Sequence, residues 1–232
     1  FDRVPNAALI LGTVTLLLGV VRATTMHLSQ LRTERSLRAE ATRVVQALAA
    51  AVDSKDHYTR FHSDRVATGA RKIGERIGLP EERLRRVEAA GRLHDVGKIA
   101  VPDAILLKSG PLDDAEFEVM KGHAAEGERI VRSIGLDDLA AWIRHHHERW
   151  DGRGYPDGLA GEETPLEARI LAVADALDAM TTTRSYHRAL SAAQACREID
   201  AHAGSQFDPD IARVVVALIR EGELPGHGEG AA

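Results

Sequence analysis

The sequence contains only one cysteine, Cys196, in 232 residues. A single cysteine excludes an internal disulfide and any metal site built on a cluster of thiolates. Low cysteine content is also typical of proteins that work in a reducing compartment. The eleven histidines are therefore the main supply of metal-coordinating side chains in this chain.

The sequence also has no excess of positive charge, because 30 lysines and arginines stand against 35 aspartates and glutamates, for a formal net charge of -5. Such a chain lacks the general basic field that draws proteins onto nucleic acid polymers, so we expect no such polymer as a partner. A small anionic ligand would need a local positive site. The length and the apolar content of 44% allow one sizeable core, and we expect one catalytic domain with an appendage.

Charged residues are absent between Val4 and Val21, and the stretch from Ala7 onward contains only Ala, Leu, Ile, Gly, Thr and Val. This run is near the lower limit of the about 17 to 25 residues that span a bilayer, and we expect a transmembrane helix over residues 1–22. A buried or dimer-forming apolar helix is the alternative. A signal peptide is less favoured because no small-residue cleavage site closes the run.

Five arginines and two glutamates lie between residues 22 and 43, directly after the apolar run. By the positive-inside rule, this excess of arginine places everything downstream in the cytoplasm. Residues 23–52 contain neither proline nor glycine and predict a helical linker, which we interpret as a homodimer contact in preference to a solvated spacer. Because the chain opens with Phe1 rather than Met, we also expect a fragment of a longer protein.

The segment 53–221 predicts helices almost throughout and shows no convincing alternating strand pattern, so we expect an all-α fold. The predicted helices cover residues 59–77, 81–96, 113–134, 136–149, 165–182, 191–203 and 209–220. The stretch Asp151–Thr164 contains too many glycines for helix or strand, and a loop of this length in a compact domain is usually functional. The glycine-rich stretch Gly222–Ala232 predicts a flexible tail.

Histidines and aspartates occur at several separate points of the predicted helices. His94 and Asp95 are adjacent near the end of one helix, and His146 and His147 are adjacent near the end of another. Adjacent helical side chains diverge by about 100°, so such pairs can serve two neighbouring ions if a carboxylate bridges them. The other candidates are His62, His123 and Asp175.

These five histidines and two aspartates suffice for two metal ions with open positions for water. Nitrogen and oxygen donors without sulfur suit iron, manganese, zinc or nickel, and affinity order alone does not choose among them. Each residue alone is weaker evidence, because a solitary histidine such as His62 or His123 is more often a surface or satisfied side chain. For Asp175, a paired buried charge is an equal alternative. We expect His145 to face solvent.

Several segments between about residue 50 and residue 215 together resemble the HD-GYP family of cyclic di-GMP phosphodiesterases. The matching segments are Asp56–Val66, Leu93–Ile99, His123, His146–Pro156, Arg169–Arg184 and Gln206–Pro209. The broader HD superfamily shares only the His, His-Asp and Asp pattern. The loop that contains Gly154, Tyr155 and Pro156, called the Gly-Tyr-Pro loop below, is therefore the feature that restricts the expected substrate to the class that the HD-GYP family hydrolyses. The resemblance implies an HD-superfamily helical bundle in a bacterial protein, here preceded by the long N-terminal helix. From the resemblance together with the apolar run and the arginines that follow it, we expect an inner-membrane protein whose catalytic domain is cytoplasmic.

The resemblance also implies roles for individual residues. Asp95 would bridge the ions as part of the catalytic centre, and Lys98, just past Gly97 where the helix is expected to end, would contact the scissile phosphate. The alternative for Lys98 is an ordinary exposed lysine. The implied metal ligands are His62, His94, Asp95, His123, His146, His147 and Asp175. The implied substrate contacts are Lys98, Gly154, Tyr155, Pro156, Arg184 and His187.

Two departures from the family pattern affect these expectations. Some members carry a glutamate four residues before the first histidine and hold a third metal, but Tyr58 stands at that position. We therefore expect two divalent ions, iron or manganese before nickel or zinc. The family commonly has proline and then lysine or arginine where this chain has Ser185 and His187, which bears on ligand affinity more than on bond cleavage.

We accordingly expect a phosphodiesterase that hydrolyses cyclic di-GMP, with linear pGpG, GMP or both as the product. One alternative is an effector that binds cyclic di-GMP without useful turnover. The other is a docking module that contacts signalling proteins through the Gly-Tyr-Pro loop, in which case Tyr155 would matter more than the metal ligands.

Overall fold

The computed structural model describes residues 4–55, 62–183 and 189–224. Within these ranges the chain forms helices and turns without an extended strand, so the prediction of an all-α fold is confirmed. The α-helices are α1 (Val4–Lys55), α2 (His62–Arg76), α3 (Glu81–Leu93), α4 (Asp103–Leu106), α5 (Asp114–Ser133), α6 (Asp137–Arg144), α7 (Leu166–Thr181), α8 (Ala192–Ala201) and α9 (Pro209–Arg220). Two short 3-10 helices cover Val96–Ala100 and Gly161–Glu163.

The chain divides into two compact units, residues 1–43 and residues 44–232. In the first unit, the stretch Ile10–Leu37 of α1 is long and apolar enough to cross a membrane, a test of length and composition alone. Its apolar side chains are exposed, as Leu16 shows at 71%. The division falls inside the predicted linker, and the ranges 1–22, 23–52, 53–221 and 222–232 stay predictions.

The core of the second unit is built around α7, which packs against α2, α3, α6, α8 and α9. This helix is apolar on nearly all of its faces, which is typical of a helix surrounded by others. Its buried apolar residues are Ala168, Ile170, Leu171, Val173, Ala174 and Leu177. Polar side chains on such a helix must find partners inside the bundle.

Two helices end earlier than the sequence pattern predicts, and histidines follow both ends. Helix α3 ends at Leu93 instead of residue 96, so Asp95 lies in the turn that leads into the first 3-10 helix. Helix α6 ends at Arg144 instead of residue 149, so His146 and His147 lie beyond it. Beyond α6, the backbone amides of Trp150 and Asp151 donate hydrogen bonds to the carbonyl oxygens of Gln206 and Ser205, tertiary contacts that helical periodicity does not record.

The expectation that Gly97 ends a helix is wrong, because Gly97 lies inside the 3-10 helix Val96–Ala100. A Cβ atom at this position would lie 1.9 Å from the carbonyl oxygen of His123 and 2.5 Å from the amide nitrogen of Gly127. The missing side chain therefore lets the segment that follows His94 and Asp95 press directly against α5, which carries His123.

Several helix ends coincide with residues that favour helix termini. Gly78 adopts a positive φ of 82° after α2, and Pro80 precedes α3 with acidic residues in its first turn. Asp208 caps α9, because its carboxylate accepts hydrogen bonds from the amides of Asp210 and Ile211. Helix α9 therefore begins at Pro209, directly after its capping residue, as predicted for the last helix.

The contact between α2 and α3 depends on Gly91, and it supports a stability prediction. A Cβ atom on Gly91 would lie 2.6 Å from the Cα atom of Ala67 and 2.9 Å from its backbone nitrogen. Because backbone must then move, we expect Gly91→Ala to lower the free energy of unfolding by about 1–3 kcal/mol, as overpacking typically does. Chemical denaturation of the full chain measures the effect.

Gly122 on α5 provides the matched control, because a Cβ atom there would meet nothing within 4 Å. In that open helical position Gly122→Ala should stabilise the chain by about 0.5–1 kcal/mol. Equal unfolding free energies for the two variants would contradict the close approach of α2 and α3.

Candidate metal centre

Seven side chains from five parts of the bundle converge on one point of the second unit. They come from the start of α2, the turn after α3, the middle of α5, the turn after α6 and α7. The residues are His62, His94, Asp95, His123, His146, His147 and Asp175. The structure thus brings together every residue that the sequence analysis proposed as a metal ligand, while their role as ligands stays a prediction.

The converging side chains form two groups. The first group is His62, His94 and Asp95, and the second group is Asp95, His123, His146 and His147. Within each group the candidate ligand atoms lie within 4.8 Å of one another. Asp175 adjoins the first group, because its Oδ1 lies 3.3 Å from Nε2 of His62.

Asp95 belongs to both groups and presents one carboxylate oxygen to each. Its Oδ2 lies 3.3 Å from Nε2 of His94, whereas its Oδ1 lies 3.4 Å from Nε2 of His123. The residue is only 5% exposed, so its carboxylate is largely removed from water. A carboxylate in this position can bridge two ions.

Three of the histidines leave a buried nitrogen without a hydrogen-bond partner among the described residues. Nδ1 of His94, His123 and His146 lies 2.8, 2.7 and 2.6 Å from a backbone carbonyl oxygen three residues earlier. Since a carbonyl oxygen only accepts, Nδ1 of each ring carries a proton, which leaves Nε2 as the nitrogen available to a metal ion. Those Nε2 atoms are the unpartnered ones, a costly arrangement that a metal ion would relieve. The residues therefore fit a metal ion.

The electrostatics of the second group favour the uncharged imidazole that binds metals. Burial, followed by the neighbouring histidines, holds the pKa of His146 well below its ordinary value. Burial and His123 lower the pKa of His147 to about 3. Burial raises the pKa of Asp95, but Lys98 and His94 outweigh it and hold that pKa well below its ordinary value. Neutral imidazole and ionised carboxylate are the protonation states that metal binding requires.

His62 differs from these histidines. Burial lowers its pKa, but the carboxylates of Asp175 and Asp178 outweigh burial and raise the pKa to about 10. Asp178 was not among the candidates of the sequence analysis. Its Oδ2 lies 2.7 Å from Nδ1 of His62, on the side of the ring away from the metal centre.

Lys98 lies at the edge of the centre, inside the 3-10 helix Val96–Ala100. Its Nζ lies 2.5 Å from Oδ2 of Asp95, and its side chain is partly exposed. A cavity of about 420 Å³ adjoins the centre, lined by His146, His147 and Asp175 together with the apolar Met180 and Phe207. The side chain of Asp175 lines this cavity and is 22% exposed, so its charge is only partly buried.

The Gly-Tyr-Pro loop packs over the second group. The ring centroid of Tyr155 lies 4.8 Å from that of His147 and 6.3 Å from that of Phe117. A Cβ atom on Gly154 would lie 2.4 Å from the backbone nitrogen of Arg149, so this glycine permits close packing of the loop against its own base. The peptide bond between Tyr155 and Pro156 is cis.

The expectation that His145 faces solvent is wrong. Its side chain is only 14% exposed, and its Nε2 lies 2.8 Å from Oδ2 of Asp157. Arg144 binds the same carboxylate through two nitrogens, each at 2.7 Å. His145 therefore holds the far end of the loop and lies outside both groups. Four residues of the sequence analysis, Tyr58, Arg184, Ser185 and His187, lie outside the described residues.

The comparison with protein families identifies this arrangement, because a model described as HD domain matches residues 36–211. The chain belongs to the HD domain family, and it carries the sequence Gly-Tyr-Pro at residues 154–156. HD domain phosphohydrolases are metal-dependent, in agreement with the orphaned nitrogens.

Curated relatives support the same assignment. The HD domain is 44% identical to a cyclic di-GMP phosphodiesterase response regulator of Xanthomonas campestris, over 75% of this chain and 46% of the relative. It is 39% identical to a cyclic di-GMP phosphodiesterase of Thermotoga maritima, over 77% of this chain and 49% of the relative. It is 37% identical to a 3'3'-cGAMP-specific phosphodiesterase of Vibrio cholerae, over 78% of this chain and 35% of the relative. The chain spans less than half the length of these relatives.

Solved structures share the fold. A cyclic GMP-AMP specific phosphodiesterase of V. cholerae superimposes with a TM-score of 0.61 at 21% identity, over 77% of this chain and 48% of that one. The HDG"Y"P protein of Bdellovibrio bacteriovorus superimposes with a TM-score of 0.59 at 17% identity, over 82% and 64%. At these identities the likeness concerns the helical fold of the HD domain.

Two residues next to the HD centre were missed by the sequence analysis. Asp178 follows Asp175 by three residues on the same apolar helix, a spacing that puts both on one face and is the signal that could have found it. Glu148 stands in the His-His-Glu segment but received no role. It is 4% exposed, and its carboxylate accepts hydrogen bonds from the amides of Asp157, Gly158 and Leu159 at 2.7, 3.0 and 3.2 Å.

Glu148 therefore anchors the Gly-Tyr-Pro loop beside the histidines of the HD centre. We expect Glu148→Ala to speed hydrogen exchange at the amides of residues 157–159 by about 10- to 100-fold, because hydrogen bonds to a charged acceptor contribute about 1.5–3 kcal/mol each. Hydrogen exchange resolved to single amides measures this.

Glu163 offers the control, since it accepts a hydrogen bond from the amide of Ala160 at 3.0 Å in the same loop. Glu163→Ala should speed exchange at residue 160 while residues 157–159 stay protected. Unchanged protection of those three amides in Glu148→Ala would show that the loop is held by other contacts.

Proposed function

We propose that this chain is a metal-dependent phosphodiesterase that opens cyclic di-GMP to linear pGpG. The observation that carries the proposal is the position of Asp95, whose two carboxylate oxygens face two different groups of buried histidines. The curated relatives named as cyclic di-GMP phosphodiesterases, at 44% and 39% identity, support it. A site that holds two ions beside a lysine is suited to hydrolysis of a phosphodiester.

The proposed centre holds two divalent ions, iron or manganese before nickel or zinc. The first group with Asp175 would hold one ion and the second group the other, so both ions would have nitrogen and oxygen ligands. When bound, such ions supply a nucleophile from water near neutral pH and neutralise the charge that develops on the phosphate. Tyr58, which cannot replace a carboxylate, supports two ions instead of three.

The side chains around the centre bind and orient the substrate. Lys98 would donate a hydrogen bond to a non-bridging oxygen of the scissile phosphate, because its ammonium group lies beside the carboxylate that both groups share. The cavity next to the centre would receive a nucleoside, with Met180 and Phe207 against the base. Gly154, Tyr155 and Pro156 would close the opposite side. Arg184 and His187 remain substrate contacts implied by the resemblance alone.

Cyclic di-GMP is favoured as the substrate over other cyclic dinucleotides. The relatives at 44% and 39% identity are named for cyclic di-GMP, and the relative at 37% identity is named for 3'3'-cGAMP. Because 3'3'-cGAMP differs from cyclic di-GMP in one purine base, it is the substrate against which cyclic di-GMP should be compared. Further hydrolysis of pGpG to GMP is compatible with the same centre, since the linear product still carries a phosphodiester.

We also propose that α1 anchors the chain in the bacterial inner membrane with the HD domain in the cytoplasm. The support is the exposed apolar stretch within Ile10–Leu37, the only candidate span in the part of the chain that the structure describes, and the arginine excess that follows its most apolar part. A homodimer through α1 and signalling proteins at the Gly-Tyr-Pro loop are the further proposed partners.

Hydrolysis by the metal-loaded chain tests the proposed activity. The full chain, purified anaerobically and loaded with iron or manganese, should convert cyclic di-GMP to pGpG, with slower conversion of 3'3'-cGAMP. Asp95→Asn should lower the rate by at least about 10³-fold, because it removes the carboxylate charge between the two groups. Chromatography of the products gives both rates, and equal rates for the two proteins would exclude the proposed centre.

Lys98→Met separates phosphate contact from metal binding. It should lower kcat by about 10²–10³-fold, as loss of a donor to a developing charge does, while the metal content stays unchanged. If the metal-loaded chain binds cyclic di-GMP but forms no product, the result would instead favour the alternative of an effector that binds cyclic di-GMP without useful turnover.

Fractionation of cells that express the intact chain tests the anchor. We expect the chain to sediment with membranes and to require detergent for extraction, because the apolar side chains of α1 need a nonaqueous environment. Removal of residues 1–43 should release the HD domain into the soluble fraction, since the second unit begins at residue 44. Detergent-free solubility of the intact chain would contradict the anchor.

A further inference from the structure

The histidines of the centre are oriented in two different ways. His94, His123 and His146 each donate from Nδ1 to a backbone carbonyl three residues earlier, so their own helices hold them. His62, the first residue of α2, instead contacts the Asp178 carboxylate, which lies 116 positions away on α7, at 2.7 Å. The orientation of His62 therefore depends on a contact between two helices.

The carboxylate of Asp178 is itself held in place. The residue is 5% exposed, and Arg65 binds it with two nitrogens, Nε at 2.5 Å from Oδ1 and Nη2 at 3.1 Å from Oδ2. The hydroxyl of Thr182 lies 3.4 Å from Oδ1. A bidentate guanidinium fixes the plane of a carboxylate, so Asp178 presents Oδ2 to His62 in a defined direction.

The contact determines which nitrogen of His62 faces the centre. An ionised carboxylate only accepts hydrogen bonds, so Nδ1 of His62 carries a proton, and Nε2 is the nitrogen that can bind a metal ion once it gives up its own proton. The opposite nitrogen, Nε2, then points toward Asp175 at 3.3 Å and toward Asp95 at 3.8 Å. This is the geometry in which a carboxylate behind a histidine fixes the ring and the tautomer of a metal ligand.

We propose that Asp178, clamped by Arg65, is the positioning residue for His62 and thereby controls occupancy of the first metal position alone. The inference rests on the proposed function in so far as the seven residues bind metal. The second group does not need Asp178, because backbone carbonyls orient two of its three histidines, His123 and His146. One substitution should therefore make the two metal positions unequal.

Metal content is the readout, measured on the full chain. After equilibration with a weak chelator, the wild-type chain should retain two ions and Asp178→Asn about one. Loss of a carboxylate behind a metal-ligating histidine typically weakens metal affinity by about 10- to 100-fold, so a titration of Asp178→Asn with Mn²⁺ should show one weakened site and one unchanged site. Arg65→Met should weaken the same site to a smaller degree.

Asp208 supplies the matched control. It is also a buried aspartate paired with an arginine, since its Oδ2 lies 2.5 Å from Nη1 of Arg169. Its other carboxylate oxygen accepts hydrogen bonds from the amides of Asp210 and Ile211, at the start of α9. Asparagine also caps helices well, so Asp208→Asn should keep α9 and bind two ions with unchanged affinity. Thermal unfolding of both variants shows whether their stabilities are comparable.

Two results would overturn the proposal. One is Asp178→Asn that binds two ions as tightly as the wild-type chain. The other is equal weakening of both positions in Asp178→Asn, which would indicate a general structural role. The measurement is independent of the proposed activity, because a wild-type chain that holds two ions but cleaves no cyclic dinucleotide would remove the phosphodiesterase and leave the role of Asp178 intact.

Discussion

The HD domain depends on one costly arrangement, which is the burial of imidazole nitrogens that no other described residue satisfies. Nε2 of His94, His123 and His146 lies in the interior without a hydrogen-bond partner there, whereas Nδ1 of each ring is paired with a carbonyl. Buried polar atoms without partners are rare in folded proteins because each costs free energy. The helices are therefore arranged around a cluster of polar atoms that fits a metal ion, as well as around an apolar core.

Close approach of backbone segments makes this convergence possible. Gly97 allows the segment after α3 to meet the backbone of α5 at His123, and Gly154 allows the loop to meet the chain after α6. The first contact brings Asp95 within reach of both groups, and the second places Tyr155 beside His147. Side chains larger than hydrogen at either glycine would move ligand candidates apart, so the two contacts link packing directly to the proposed chemistry.

The sequence predicts the helices well because their signals are local, as the cap of Asp208 and the acidic first turn after Pro80 illustrate. It fails at the ends after Leu93 and Arg144, where contacts with distant segments stop the helix. The seven converging residues could be named because their types and spacing form a motif. Asp178 could have been found from its spacing to Asp175 on α7, but its partner, an imidazole 116 positions away, is not recorded in that spacing. Glu148 was missed because its partners are three loop amides, which a sequence pattern does not record.

The rotation of helix α7 about its own axis is not fixed by apolar packing alone, because nearly all of its faces are apolar. Three ion pairs between a buried carboxylate and a more exposed arginine select one rotation. Glu167 pairs with Arg83 of α3, Asp178 with Arg65 of α2, and Arg169 with Asp208 at the start of α9. Rotating α7 would separate all three pairs and leave buried charges unpaired, a far larger cost than the pairs contribute as stability. With the rotation fixed, Asp175 must face the metal centre, so these ion pairs specify the geometry that the proposed reaction uses.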